Sequence, residues 1–215
     1  MRYKGVIFDL DGVIVSTDEY HYRAWKEIAD RFHIPFDRNR NDRLRGVSRF
    51  SSLEILLEGT EEQYSETEKH EMAEEKNAIY RKLLNQMSSA DLSDETRNTL
   101  VTLKRNGLRL AVGSSSKNTP LILERTGLDH FFDTVVDGNC ITYSKPHPEV
   151  FLRTAKNLNL LPSECLVVED ADSGVQAAAA GGFDCAGFGG AARNPNARIK
   201  LNKISDILQI FGLSV

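Results

Sequence analysis

The chain has 215 residues, with 27 Lys and Arg against 31 Asp and Glu and a net charge of -4. That length holds one domain, or one domain with a sizeable insertion, and can bury a core without staples. The acidic balance argues against a basic nucleic-acid surface, so no nucleic-acid partner is expected, and an anionic substrate would need a few placed cations or a metal.

Cys140, Cys165 and Cys185 are odd in number and form no C-x-x-C pair, so they read as small core residues in a reducing compartment. No signal peptide and no long apolar run is visible, which predicts a soluble, cytoplasmic protein without a membrane partner.

Val6-Ile7-Phe8 is a short apolar run stopped by Asp9-Leu10-Asp11-Gly12, and reads as a buried strand ending at a site. The character then changes. Tyr20, Ala24, Trp25, Ile28, Ala29 and Phe32 recur at helical spacing, and residues 61–76 form a charged, helix-forming stretch. This block shows no convincing strand, so 16–89 is expected to be an all-helical insertion, a cap, and 1–15 with 90–215 the core domain that carries it.

From Asp91 onward helices and strands alternate. Leu100, Val101 and Leu103 sit on a helix that Gly107 ends, followed by a strand over 108–112 and a helix over 119–125. Val135-Val136 is a strand, 148–158 a helix and 165–168 a strand; Ser173 caps a helix running to 180, and 185–188 is a last strand. Such alternation predicts an α/β fold with a doubly wound parallel sheet, whose ligands bind at the carboxyl ends of the strands.

Four motifs fall at those ends. In Asp9-Leu10-Asp11-Gly12 two carboxylates can face one pocket while the glycine permits the turn; alone, such a run is a cap or a turn at least as often. Ser114-Ser115-Ser116-Lys117-Asn118 offers hydroxyls, an amine and open N–H groups at a helix start, which suits an anion. Lys145-Pro146 places an ammonium ahead of a helix, and Glu169-Asp170 puts adjacent acids on a buried strand end, a costly arrangement unless they are paired or metal-bound. Phosphoryl transfer is mostly positioning and charge neutralisation. Asp9, Glu169 and Asp170 can supply oxygen ligands for Mg²⁺, Ser114 and Lys145 can hold phosphate oxygens, and Asp11 is left to move a proton.

The order D-x-D-G, S at a strand end, K-P and E-D resembles the haloacid dehalogenase superfamily across Lys4 to Gly190. The likeness implies a Rossmann-like core with an inserted α-helical cap. It further implies Asp9 as a nucleophile that carries phosphate and Asp11 as general acid/base with its carbonyl on the metal. Glu169 and Asp170 fall on the remaining Mg²⁺ ligands, and Ser114 and Lys145 on the groups that hold the transferring phosphate. Glu19-Tyr20-His21-Tyr22-Arg23-Ala24-Trp25, Leu44-Arg45-Gly46-Val47-Ser48-Arg49, Lys76-Asn77 and Ser116-Lys117-Asn118 are similar to the phosphoglucomutase branch of that superfamily.

That second resemblance implies a sugar-phosphate substrate, a sugar bisphosphate activator and a monomer. It places His21 and Lys76 around the acid/base, and Arg49 with Ser116, Lys117 and Asn118 at a second phosphate. Trp25, Gly46, Val47 and Ser52 fall where that branch contacts substrate, and Ser115 belongs to the same loop. Read without it, His21 and Trp25 share a helix face as ordinary packing would, and Lys76 and Arg49 are surface charges. Arg45 in place of a usual Lys, Ser16 in place of Asp and His147 in place of Asp depart from the pattern but do not touch the phosphoryl centre. A phosphatase of the same superfamily is the rival reading; a dehalogenase would leave Asp11 and Glu169-Asp170 without work, and a binding protein would not need both Asp9 and Asp11.

Overall fold

The structure, a computed structural model, describes residues 2–44 and 47–214. In chain order its strands and helices are β1 (Gly5–Phe8), α1 (Asp18–Arg31), α2 (Arg38–Asp42), α3 (Arg49–Leu57), α4 (Glu66–Leu84), α5 (Asp94–Arg105), β2 (Arg109–Gly113), α6 (Thr119–Thr126), β3 (Thr134–Val136), α7 (Glu149–Asn157), β4 (Cys165–Glu169), α8 (Asp172–Ala180), β5 (Asp184–Phe188), β6 (Ile199–Leu201) and α9 (Ile207–Ile210). The strands form one sheet in the order β3-β2-β1-β4-β5-β6, with every pair parallel.

The apolar strands are buried on both faces because successive side chains alternate between two cores. Val6, Phe8, Leu110, Val112, Leu166 and Val168 point to the side packed by Leu100 and Leu103 of α5, Ile122 of α6 and Ile207 of α9. Ile7, Ala111, Cys165, Val167 and Cys185 point to the side packed by Val150 and Phe151 of α7 and by Val175 and Ala178 of α8. Helices on both faces make the sheet doubly wound, as the alternation predicted.

Helices α1 to α4 leave the sheet after β1 and build a core of their own from Trp25, Ile28, Ala29, Leu53, Leu56, Met72 and Ala73. Ser65 and Glu68 start α4 with a reciprocal capping box, and the side chain of Ser48 caps α3. The charged stretch 61–76 is therefore helical only from Glu66, and the helix continues to Leu84. No helix among the described residues is long and apolar enough to cross a membrane.

Three expectations change. A sixth strand, β6, follows the one expected to be last; its three residues are too few for periodicity to reveal. Ala171, not Ser173, stands at the cap position of α8, because the chain turns into the helix directly from Asp170. Cys165 and Cys185 are core residues, but Cys140 is exposed.

The first turn of α8 packs so closely on the sheet that a β-carbon at Gly174 would overlap the carboxylate of Glu169. That carboxylate is buried and held from two sides, so it cannot swing away. Glycine-to-alanine usually helps a helix; here overpacking, at about 1–3 kcal/mol, should win and lower the melting temperature by several degrees. At Gly190 the nearest atom to a β-carbon is 3.6 Å away. Thermal melts of Gly174→Ala and Gly190→Ala are therefore expected to show a clear loss in the first and little change in the second.

Candidate active site

The parallel register sets Phe8 beside Val168 on one flank and Val112 on the other. The residues just beyond, Asp9, Glu169 and Ser114, consequently meet at one edge of the sheet. Buried Asp9, Glu169 and Asp170 can each aim one oxygen so that the three lie within 4.8 Å of one another. The Lys145 ammonium, itself buried, donates to Asp9 Oδ1 at 2.6 Å and to Glu169 Oε1. Glu169 Oε2 accepts the amides of Asp170 and Ala171, each at 3.0 Å.

Burial raises Glu169 to about 7 despite Lys145 beside it. Burial also opposes the charge on Lys145, but Asp9 and Glu169 outweigh it and hold the lysine above its ordinary range. Three buried carboxylates against one ammonium leave the cluster electronegative, and its donors are all hard oxygens. That set fits Mg²⁺ better than a softer metal. Gly12, at φ +86°, turns the chain here, and a β-carbon on it would overlap the carboxylate of Asp170.

The loop after β2 faces this cluster. Ser114 Oγ accepts the Ser116 amide at 3.1 Å, so its own proton is left to donate to an anion. Ser115 Oγ accepts the backbone amide of Lys145 at 3.3 Å, and Ser116 Oγ accepts that of Asn118 at 3.2 Å. Lys117 is exposed. Asn118 is buried, donating to Asn77 at 2.9 Å and accepting from Arg81 at 3.1 Å. Its amide thus ties the start of α6 to α4 of the helical insertion.

Above the cluster, Asp11 accepts a hydrogen bond from the Thr17 hydroxyl, and His21 Nε2 stands 4.0 Å from Asp11 Oδ1. The His21 ring stacks on Tyr80 at 4.1 Å, and its Nδ1 meets Lys76 Nζ at 2.8 Å. With Lys76 charged, Nδ1 is the acceptor and the imidazole carries its proton on Nε2, the side of Asp11. Lys76 lies over the rings of Tyr80 and Trp25, 4.5 and 4.9 Å from their centres, and has no carboxylate partner among the described residues. Burial, then the charge of Arg49, pulls Lys76 down to about 7. Burial, then Lys76 and Arg49, pulls His21 well below its usual value. Burial, then Asp9, pushes Asp11 up to about 6.

A cavity of about 400 Å³ between the sheet edge and the helical insertion collects these groups. It is lined by the sequence-predicted Asp9, Asp11, His21, Trp25, Val47, Arg49, Ser52, Lys76, Ser114, Ser115, Ser116, Lys117, Asn118, Lys145 and Asp170. Glu169 belongs to the cluster without lining the cavity itself. It sits behind Lys145, and Gly46 lies outside the described residues. Glu74, Asn77, Tyr80, Asp18, Thr142 and Ser144 also line the cavity and were missed. Tyr80 follows Lys76 by four residues, a helical spacing that could have found it; Glu74, which pairs with Arg49, carries no such signal.

A model of the haloacid dehalogenase-like hydrolase family matches residues 3–182. The chain is 39% identical over 206 residues to a β-phosphoglucomutase of Bacillus subtilis, covering 95% of this chain and 91% of that one. The crystal structure of a β-phosphoglucomutase from Clostridium difficile superposes with a TM-score of 0.90 at 34% identity, covering 97% of this chain and 95% of that one. A fructose-1-phosphate phosphatase of Escherichia coli is 32% identical over 184 residues, covering 85% of this chain and 95% of that one.

Because Lys76 is depressed to about 7 in the fold and ordinary when unfolded, the native state loses its proton first as pH rises. The stability this burial costs is absent above the lysine's ordinary range, grows as pH falls toward 7, and levels off below. Lys76→Met should remove that cost. Melting curves of both proteins from pH 6 to pH 9 are expected to show the variant gaining most relative to wild type at the acid end.

Proposed function

The chain belongs to the haloacid dehalogenase-like hydrolase family, and we propose that within it this enzyme is a β-phosphoglucomutase, interconverting β-glucose 1-phosphate and glucose 6-phosphate through a phosphorylated Asp9 and a bound glucose 1,6-bisphosphate. One observation supports the reading: a single cavity is lined by polar and cationic groups from both the sheet edge and the helical insertion. Asp9, Ser114 and Lys145 come from the sheet edge, and Arg49 from the helical insertion. A sugar with two phosphates spans such a space, and a mutase must bind it in both orientations.

In one half-reaction Asp9 would attack the C1 phosphorus of bound glucose 1,6-bisphosphate, with Ser114 and Lys145 holding the equatorial oxygens. The bond from phosphorus to the sugar oxygen breaks as Asp11 gives that oxygen its proton. In the other, Asp11 takes the proton of the 6-hydroxyl of β-glucose 1-phosphate, whose oxygen attacks the phosphorus of the phosphoaspartate, frees the Asp9 carboxylate and remakes the bisphosphate. His21, oriented by Lys76 and by its stacking on Tyr80, holds the surroundings of Asp11. Mg²⁺ would sit on Asp9, Glu169, Asp170 and the Asp11 carbonyl, where it neutralises charge on the phosphoryl oxygens. The division into a core of 1–15 and 90–215 and a cap of 16–89 is part of this proposal, with cap closure excluding water. So is action as a monomer.

A sugar-phosphate phosphatase is the second reading, supported by the similarity to the fructose-1-phosphate phosphatase and by core groups that would serve water as well as a sugar hydroxyl. Incubation with Mg²⁺, β-glucose 1-phosphate and a trace of glucose 1,6-bisphosphate, following both isomer and free phosphate, separates the two. Isomerisation with little phosphate release is expected. Arg49→Ala should cut isomerisation by roughly 10²-fold or more while raising phosphate released per turnover, because a bidentate guanidinium grip on phosphate is lost. Faster hydrolysis than isomerisation in the wild type, unchanged in Arg49→Ala, would install the phosphatase instead. For the metal, Asp170→Asn should raise the Mg²⁺ concentration giving half-maximal rate by roughly 10-fold or more, as losing one of its carboxylate charges does; an unchanged titration would remove Asp170 from the ligand set.

A further inference from the structure

Arg49, the first residue of α3, and Glu74, on α4, both line the cavity, and they are joined by an ion pair. The two halves of the pair differ in depth. The Arg49 side chain is 18% exposed and that of Glu74 is 54% exposed. The guanidinium is therefore the more buried partner, and the carboxylate reaches it from the solvent-exposed side. Arg49 lowers the pKa of both Lys76 and His21, so its charge is felt deep in the site. Among the described residues Glu74 is its one carboxylate partner. The next residue on the same helix, Glu75, pairs with Arg31 and does not line the cavity.

Resting on the mutase reading, we propose that Glu74 is the exchange partner of Arg49, holding the guanidinium when no distal phosphate is bound and taking it back when the bisphosphate lets go to reorient. A phosphate dianion displaces the carboxylate because it brings about twice the charge and matches the guanidinium fork. A singly charged group gains nothing over what it replaces, so the pair favours fully ionised phosphates. The displaced carboxylate is already half in water, and releasing it costs little desolvation. Conversely, as the phosphate leaves, Glu74 spares the guanidinium a period unpaired beside Lys76. The pair thus weakens resting affinity and speeds release.

The test measures binding of glucose 1,6-bisphosphate by calorimetry to the full chain carrying Asp9→Asn, which blocks turnover, alone and combined with Glu74→Gln or Glu75→Gln. Removing the competing carboxylate should tighten binding about two- to fivefold, the scale of a partly exposed ion pair. Glu75→Gln, which removes the same charge one residue away, should leave it unchanged. In the chain with Asp9 intact, Glu74→Gln should lower KM and kcat together, and thermal melts should match the wild type. Unchanged or weaker binding in Glu74→Gln, equal tightening in Glu75→Gln, or no binding of the bisphosphate to any of the three overturns the proposal. A wild type that binds the bisphosphate but hydrolyses β-glucose 1-phosphate without isomerising it sinks the mutase reading alone, and the binding comparison still decides the exchange.

Discussion

A buried ammonium shared by two buried carboxylates sets the terms for the rest of this molecule. Lys145 bridges Asp9, just past β1, and Glu169, at the end of β4. Any one of these charges alone in that position would be prohibitively expensive, and removing one partner of such a set leaves the others uncompensated. The central strands must therefore stay in register, since a slip of one residue would send each carboxylate to the opposite face. The helix that follows β4 must come in close, which is why Gly174 abuts Glu169, and the Asp9–Gly12 turn must fold over Asp170. With Asp170 included, the cluster carries more negative charge than Lys145 can offset. In the proposed mechanism that surplus would receive a hard cation, and the edge with its cation would then seat phosphate.

The helical insertion carries the opposite surplus. Lys76 is buried against an imidazole and two aromatic faces with no carboxylate in contact among the described residues, and burial and the charge of Arg49 depress it more than Asp11 raises it. Such an arrangement costs stability in the absence of ligand, and sites that bind charged groups commonly accept that cost. The two surpluses face one another across a cavity, held at a fixed side by the Asn118, Asn77 and Arg81 contacts between α6 and α4. The polarity of the space is thus set where the edge of the sheet meets the helical insertion.

The sheet-edge residues were legible in the sequence because a parallel sheet gathers the residues after its strands, whatever separates them along the chain. Asp9, Ser114 and Asp170 each follow a short apolar run, and that placement sufficed. Lys145 follows no strand directly, and its order in the motif string identified it. The cap was legible only through resemblance. Lys76 sits in a run rich in Glu and Lys that reads as a solvated face, yet α1 packs along α4 and buries it. Local composition could not report a tertiary contact. Thr17, which donates to Asp11, and Glu74, which holds Arg49, act through pairings formed between elements, and no spacing rule encodes those. Cys140 failed for the converse reason: a cysteine is usually buried, but this one lies in the exposed loop after β3.

Core chemistry alone does not divide a mutase from a phosphatase, because the nucleophile, the ammonium, the hydroxyl clamp and the metal ligands serve either acceptor. The difference has to lie in what happens between the two phosphoryl transfers. A bisphosphate that turns round inside a closed space must loosen both ends without leaving, and each vacated cation then needs a counter-charge that belongs to the protein. At the sheet edge Lys145 already has one in Asp9 and Glu169. At the cap Arg49 has one in Glu74. Each of these two cations thus keeps a protein carboxylate beside it, and the free energy of letting a phosphate go is reduced by an internal replacement. A hydrolase, whose product alcohol simply diffuses away, gains nothing from such a replacement at the distal end. A carboxylate poised on the cap arginine is for this reason an argument about reorientation, not about cleavage.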